Sequence, residues 1–243
     1  MEDLAEVLAS LERVLRANNI DYYLIGGIAR DINLLEHGKN PLKITRDVDI
    51  AAYIPDQGRF DQLVNDLVGH ENFKSRKGQP YSVYHPNGRK VDILPFNQLT
   101  SYDREQVGPV FADLNLKGLE EISRKSVREV TIEQTDRFKV VEPEAIILLK
   151  FLAYYDKPEW RQKDLEDIGH LMHHYFDMNA NEIWESHSDL FNDDKDLEDI
   201  SFHVVGRKIS GILSDNAELK AEFQQIIANY CEGHAGRSIY YEI

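Results

Sequence analysis

The chain is 243 residues long, 42% of them hydrophobic, with 28 Lys and Arg against 43 Asp and Glu and a formal charge of −15. That length can bury a core in one large domain or two small ones, and the 14 Gly and 8 Pro are too few for a collagen-like or mostly disordered chain. A single cysteine, Cys231, excludes a disulfide framework and a cysteine-rich zinc site, and no apolar run reaches the ~20 residues that span a bilayer.

Leu4, Val7, Leu8, Leu11, Val14 and Leu15 recur at steps of three and four, which predicts an amphipathic helix over about residues 2–18. Its acidic side chains stand where a secretion signal is basic, so a cytoplasmic protein with no membrane partner is expected. Asn18-Asn19 breaks the helix. Tyr22-Tyr23-Leu24-Ile25 reads as a buried strand ending at Gly26-Gly27, and a helix from Ile28 to Leu35 follows. A second strand is expected over Ile44 to Tyr53, then a helix carrying Phe60, Leu63, Val64 and Leu67. Tyr81 to His85 and Lys90 to Leu94 read as a hairpin around Pro86-Asn87-Gly88. Residues 100–125 give no clear period. Val127 to Ile132 and Phe138 to Val141 look like short strands. Beyond Pro143 the pattern turns helical, over 143–156, 159–176, 179–191, 195–214 and 215–231.

The charge is uneven. Residues 1–142 carry 19 basic and 23 acidic side chains, and residues 143–243 carry 9 and 20. A mixed α/β domain over 1–142 and an all-helical domain over 143–243 are therefore expected, with the boundary near Glu142-Pro143-Glu144. The acidic second half is either a solvated surface or one that attracts a cationic ligand or basic partner. It disfavours a whole-protein attraction to nucleic acid. A local basic surface stays open on the first half, from Lys39, Lys43 and Arg46, from Lys74, Arg76 and Lys77, from Arg89 and Lys90, and from Arg124, Lys125 and Arg128.

Two short stretches carry chemistry. Asp47 and Asp49 are two residues apart in Asp47-Val48-Asp49-Ile50, so on a strand both carboxylates share one face. Asp92 lies in Val91-Asp92-Ile93-Leu94, another acid among strand formers. Acids converging on one face repel unless a proton, a Lys or Arg, or a divalent cation intervenes. Hard oxygen donors suit Mg²⁺, and a pair of such ions can clamp a phosphoryl centre. Gly26-Gly27, between a strand and a helix, lets backbone N–H groups approach an anion at a positive helix end. A plain turn is the alternative for the glycines by themselves.

Leu24-Ile25-Gly26-Gly27-Ile28-Ala29-Arg30-Asp31, Ile44-Thr45-Arg46-Asp47-Val48-Asp49-Ile50 and Val91-Asp92-Ile93-Leu94-Pro95-Phe96 together resemble the nucleotidyltransferase fold of the DNA polymerase β superfamily. Thr-Arg-Asp-Val-Asp-Ile is most similar to the AbiEii and MenT type of nucleotidyltransferase toxins, which also pair that domain with a helical one. The resemblance is motif-deep over residues 20–95. It implies an α+β fold, a nucleotidyltransferase-like mixed sheet with flanking helices, followed by an all-helical C-terminal domain. It implies Mg²⁺-dependent transfer of a nucleoside monophosphate from an NTP to a hydroxyl, with two ions. Gly26 and Gly27 hold the triphosphate in that reading, Asp47, Asp49 and Asp92 are the catalytic and metal-binding acids, and Thr45 and Arg46 contact phosphate or are strand-end surface. The acceptor is left open: RNA, for instance a tRNA 3′ end reached by the local basic residues of the first half, or a protein is expected, with an antitoxin as a further partner. A small cationic acceptor such as an antibiotic, or nucleotide or partner binding without turnover, are the alternatives. Gly-Gly-x-Ala-Arg-Asp also resembles the opening of the tRNA CCA-adding enzymes, whose later Arg-Arg-Asp-Phe-type motif is absent here.

In the second half, Leu149-Lys150-Phe151-Leu152-Ala153 resembles the toxins' helix that supplies a nucleotide-directed lysine, here Lys150. Lys163-Asp164-Leu165-Glu166-Asp167 resembles the stretch that follows it. Asp164 and Asp167 share a helix face, either in that role or as partners of Lys150 or Arg161. Arg30 and Asp31 read as a local salt bridge. His170, His173 and His174 read as a polar helix edge rather than a zinc site, and Trp160, Trp184, Tyr154 and Tyr155 as core or interface residues. Cys231 reads as inert.

Overall fold

The apolar ridge of the first segment folds as α1 (Glu2–Ala17), and its six Leu and Val side chains are buried. Asn19 ends it at φ +51, a backbone state that Asn tolerates better than most residues. In the computed structural model the described residues are 2–96, 116–132, 136–191 and 195–233. Their strands are β1 (Tyr22–Ile25), β2 (Val48–Tyr53), β3 (Lys74–Arg76), β4 (Gln79–Tyr84), β5 (Lys90–Phe96), β6 (Val127–Ile132) and β7 (Asp136–Val141). The remaining helices are α2 (Gly26–Glu36), α3 (Gln57–His70), α4 (Leu119–Lys125), α5 (Pro143–Asp156), α6 (Gln162–Ser186), α7 (Leu197–Ile212) and α8 (Ala217–Gly233). No helix among the described residues is long and apolar enough to cross a membrane.

The chain divides into two compact units. One holds residues 1–29, 44–120 and 127–141, and the other holds 30–43, 121–126 and 142–243. The first unit contains a seven-stranded mixed sheet in the order β3-β4-β5-β2-β1-β7-β6. β1 runs antiparallel to β2 and parallel to β7, and β2 runs parallel to β5. The hairpins β3–β4, β4–β5 and β6–β7 complete it. β1 is central and every residue in it is buried, as its unbroken Tyr-Tyr-Leu-Ile run requires. The fold is thus α+β, a mixed sheet with flanking helices and a helical C-terminal region.

Several elements differ from the sequence reading. β2 begins at Val48, not at Ile44, and Ile44 is 84% exposed. The reason is topological: β1 ends at Ile25, opposite Asp49, and turns at once into a helix, so nothing pairs with the chain before Val48 on that side. β3 has no apolar alternation and escapes a periodicity reading; backbone pairing to β4 defines it, with a bulge between Ser75 and Arg76. The segments 159–176 and 179–191 join into one helix, α6, kinked at Asn179 (φ −120°, ψ 17°). Tyr155, Trp160 and Trp184 are 50%, 79% and 54% exposed, so none is a core residue; Trp184 stacks on Phe191 with ring centroids 3.8 Å apart. Residues 100–115 of the ambiguous stretch, and Asp193 and Asp194, lie outside the described residues.

The helices of the second unit follow their composition. α5 is apolar nearly all round and buries Ala145, Ile146, Ile147, Leu148, Phe151 and Leu152. A capping box starts α7, with Asp196 accepting from the Asp199 amide and Asp199 from the Asp196 amide.

Leu24 is fully buried on β1, opposite Ile50 on one side and Val140 on the other. Leu24→Ala leaves a cavity in the middle of the sheet and is expected to lower stability by about 2–5 kcal/mol. Leu24→Met, which keeps the volume, should cost less than about 1.5 kcal/mol. Urea unfolding of the two variants followed by fluorescence checks the difference.

Candidate active site

Three features of the first unit meet at the junction of β1 and α2. Gly26 has φ +64, which lets the strand turn directly into the helix. A Cβ on Gly26 would stand 2.3 Å from Asp49 Oδ2, and one on Gly27 would stand 2.5 Å from Thr45 Oγ1. The glycine pair is therefore space made for two neighbouring side chains, and a plain turn does not account for it. Asp49 reaches this spot because it pairs with Ile25, the residue before the turn.

Asp49 and Asp92 stand in register on the adjacent parallel strands β2 and β5, so their carboxylates share one face of the sheet. Both are half-buried. Asp92 Oδ1 accepts a 2.5 Å hydrogen bond from Ser82 Oγ on β4, and its Oδ2 a 2.6 Å bond from Lys90 Nζ. Burial alone would push the Lys90 ammonium down, but the hydrogen bond and charge of Asp92, joined by the charge of Asp47, hold it above its ordinary value. Asp47 sits in an exposed bend just before β2, so the strand's pleat does not set its direction. Thr45 is half-buried against Gly27, whereas Arg46 is exposed and its carbonyl accepts from Arg89 Nη1 at 3.0 Å.

The structure thus brings together Gly26, Gly27, Thr45, Asp49 and Asp92, while Asp47 acts on the same ammonium through its charge. Among the described residues no group of three or more His, Cys, Asp and Glu is gathered ready to hold an ion. The donors present still fit a hard divalent cation of the Mg²⁺ kind, which binds one or two carboxylates and takes its other ligands from water and substrate phosphates. Lys90 now supplies the positive charge that a pair of adjacent carboxylates demands. The sequence names Lys90 only within a basic surface, without its bond to Asp92, and does not single out Ser82. Lys90-Val91-Asp92 spacing puts Lys90 on the face of Asp92 and could have revealed it, whereas Ser82 depends on the β4–β5 register alone.

The second unit holds a separate cluster of charge. Arg30 is 1% exposed. Its guanidinium donates to Asp31 Oδ1 (2.6 and 2.8 Å), to Asp167, and to the Lys43 carbonyl at 3.1 Å. Lys150 Nζ donates to Asp164 Oδ1 and Asp167 Oδ2, both at 2.8 Å. Arg161 lies 3.5 Å from Asp164 Oδ2, which accepts no hydrogen bond among the described residues. The reading of Arg30 and Asp31 as a salt bridge, and of Asp164 and Asp167 as partners of Lys150, describes these contacts. Burial alone would raise the Asp167 carboxyl, but Lys150, then Arg30 and Lys43, hold it below the ordinary carboxylate value. On the same helix, His170 and His174 face each other with ring centroids 4.8 Å apart. Desolvation holds both below the usual histidine value, helped for His170 by His174 and Arg30 and for His174 by His173 and Lys39.

No protein-family model matches the chain, and no match was found among curated proteins. Solved structures do resemble it. An antigenic nucleotidyltransferase-like protein from Paracoccidioides brasiliensis is 18% identical, with a TM-score of 0.44 over 91% of each chain. The antibiotic-resistance factor ANT(2'')-Ia is 13% identical, with a TM-score of 0.47 over 96% of this chain and 100% of its own. The lincosamide antibiotic adenylyltransferase LnuA, bound to lincomycin, is 17% identical, with a TM-score of 0.40 over 68% of this chain and 93% of its own. At such identities and TM-scores the chemistry of this chain rests on its own residues.

Gly26→Ala combines a left-handed backbone with a clash against Asp49 and is expected to cost about 1–3 kcal/mol. Gly38, also at positive φ (+67), would have nothing within 4 Å of an added Cβ, so Gly38→Ala should cost only about 1 kcal/mol. Thermal melts of the pair isolate the Asp49 contact. Asp167, held low in the folded state, contributes its full stabilisation above the unfolded carboxylate value of about 3.9 and loses it as pH falls through the lower folded value. Asp167→Asn should cost about 1–3 kcal/mol at pH 7, because Lys150 and Arg30 each lose one of their two carboxylate partners. The gap between variant and wild type should then shrink on acidification below about pH 4, as urea midpoints across pH would show.

Proposed function

We propose that the protein is a nucleotidyltransferase, moving a nucleoside monophosphate from an NTP to a hydroxyl of an RNA or protein acceptor. The observation that carries this reading is the in-register pair Asp49 and Asp92, with Asp49 packed against a diglycine strand-to-helix turn. Few reactions need two adjacent carboxylates beside a backbone anion cradle. A phosphate chain bridged to carboxylates by a divalent cation does.

In this reading the N–H groups at the start of α2 hold the triphosphate, with Thr45 and Arg46 on its flank. Asp49 and Asp92, with Asp47 at the rim, would hold Mg²⁺, which when bound supplies positive charge to the α-phosphate. The acceptor oxygen forms a bond to the α-phosphorus as the bond to the β-bridging oxygen breaks, and pyrophosphate leaves with that electron pair. Asp92 takes the hydroxyl proton. Lys90, already bonded to Asp92, keeps that side chain aimed along the face it shares with Asp49. Little covalent work falls to the protein, so positioning and charge supply the rate.

Incubation with each α-labelled NTP, Mg²⁺ and cell extract is expected to transfer label to a macromolecule. Asp49→Asn should reduce that transfer at least about a hundredfold, and a chelator should abolish it. Label transfer that survives Asp49→Asn in the folded protein sinks the reading.

A further inference from the structure

The chain is acidic as a whole, yet residues 74–90 contain five Lys and Arg and no Asp or Glu. The sheet gathers three of these charges, Lys74, Arg76 and Lys90, on one face. β3 is an edge strand, and Lys74, Ser75 and Arg76 are all exposed. Ser82 lies opposite Asp92, Tyr84 opposite Lys90, and Lys74 opposite Tyr84. Ser82 and Tyr84 share a face because strand side chains alternate, and the Ser82–Asp92 hydrogen bond identifies it as the carboxylate face. On that face the Arg76 guanidinium carbon sits 3.7 Å from the centroid of the Tyr84 ring. Lys77 follows in the exposed turn at Gly78. A strip about 10 Å wide, two strand spacings, therefore leads from Asp92 to the sheet edge through Lys90, Tyr84, Arg76 and Lys74.

Such a strip has a definite ligand chemistry. Lys and Arg at the edge attract phosphates and repel a cationic small molecule. A tyrosine capped by an arginine offers planar groups for stacking bases, which a single strand exposes and a duplex hides. We propose that the β3–β4 face binds single-stranded RNA and leads its end to Asp92. An RNA terminus presents two ribose hydroxyls where a DNA terminus presents one, which suits a hydroxyl-directed transfer. The role of this RNA as acceptor rests on the transferase reading, but its binding does not.

The test is fluorescence anisotropy of a fluorescein-labelled single-stranded RNA, about 12 nucleotides long to cover one such site, over a KCl series. The wild type is expected to bind with affinity that falls as salt rises. Lys74→Glu/Arg76→Glu should bind at least about tenfold more weakly, with a log–log salt slope smaller by about 1.4, from ~0.7 per lost contact. Tyr84→Leu should weaken binding about tenfold with little change of slope. Lys163→Glu, a charge change on an exposed position of the second unit, should leave affinity within about twofold. Unchanged affinity in Lys74→Glu/Arg76→Glu, equal competition by a duplex of the same length, or tighter binding of single-stranded DNA each overturns the proposal. Asp49→Asn, which needs no turnover to bind, should hold this RNA as the wild type does. If both bind it and neither labels any acceptor, the RNA face stands and the transferase reading falls. If label reaches RNA at full rate in Lys74→Glu/Arg76→Glu, the transferase stands and the face falls.

Discussion

Two carboxylates held side by side on neighbouring parallel strands cannot be left alone. Asp49 and Asp92 are fixed in that relation by the β2–β5 register, and like charges at that spacing raise each other's cost. The surrounding structure answers with an ammonium, a hydroxyl and a glycine. Lys90 and Ser82 bond Asp92, and Gly26 withholds the Cβ that Asp49 would strike. A site that maintains such repulsion, and keeps it half open to solvent, is suited to a cation.

The second unit solves a related problem with a different outcome. Arg30, Lys150, Asp31, Asp164 and Asp167 are all buried there, and they neutralise one another through direct hydrogen bonds. A buried network of this kind adds little net stability over an apolar core, but removing one member is costly because its partners stay buried. It ties α2, from Arg30 onward, to α5 and α6 within that unit. Lys150 is thereby fixed by two carboxylates of its own unit, one of the two roles that their shared helix face offers.

Charge is also distributed against the average. A net charge of −15 argues against nucleic acid, yet the hairpin next to Asp92 is locally cationic. Screening confines electrostatic influence to about 8–10 Å at physiological salt, so a local patch outweighs distant carboxylates for a ligand lying on it.

The sequence by itself determined most of the element order, the buried central strand and the helical character beyond Pro143, because these depend on local apolar periodicity. It also singled out Gly26, Gly27, Asp49 and Asp92, since small residues and acids amid strand formers stand out without coordinates. Tertiary structure decided the rest. That Asp49 lies beside Asp92, that Ser82 meets Asp92, and that Lys74-Ser75-Arg76 is a strand at all are consequences of register between segments distant in the chain. Asp47 falls outside β2 because its would-be neighbour strand has already turned into a helix. The assignment of residues 30–43 and 121–126 to the second unit likewise follows from long-range packing, which no composition shift at those positions announces. Local pattern fixes what each segment is, whereas pairing across the chain fixes which charged groups meet.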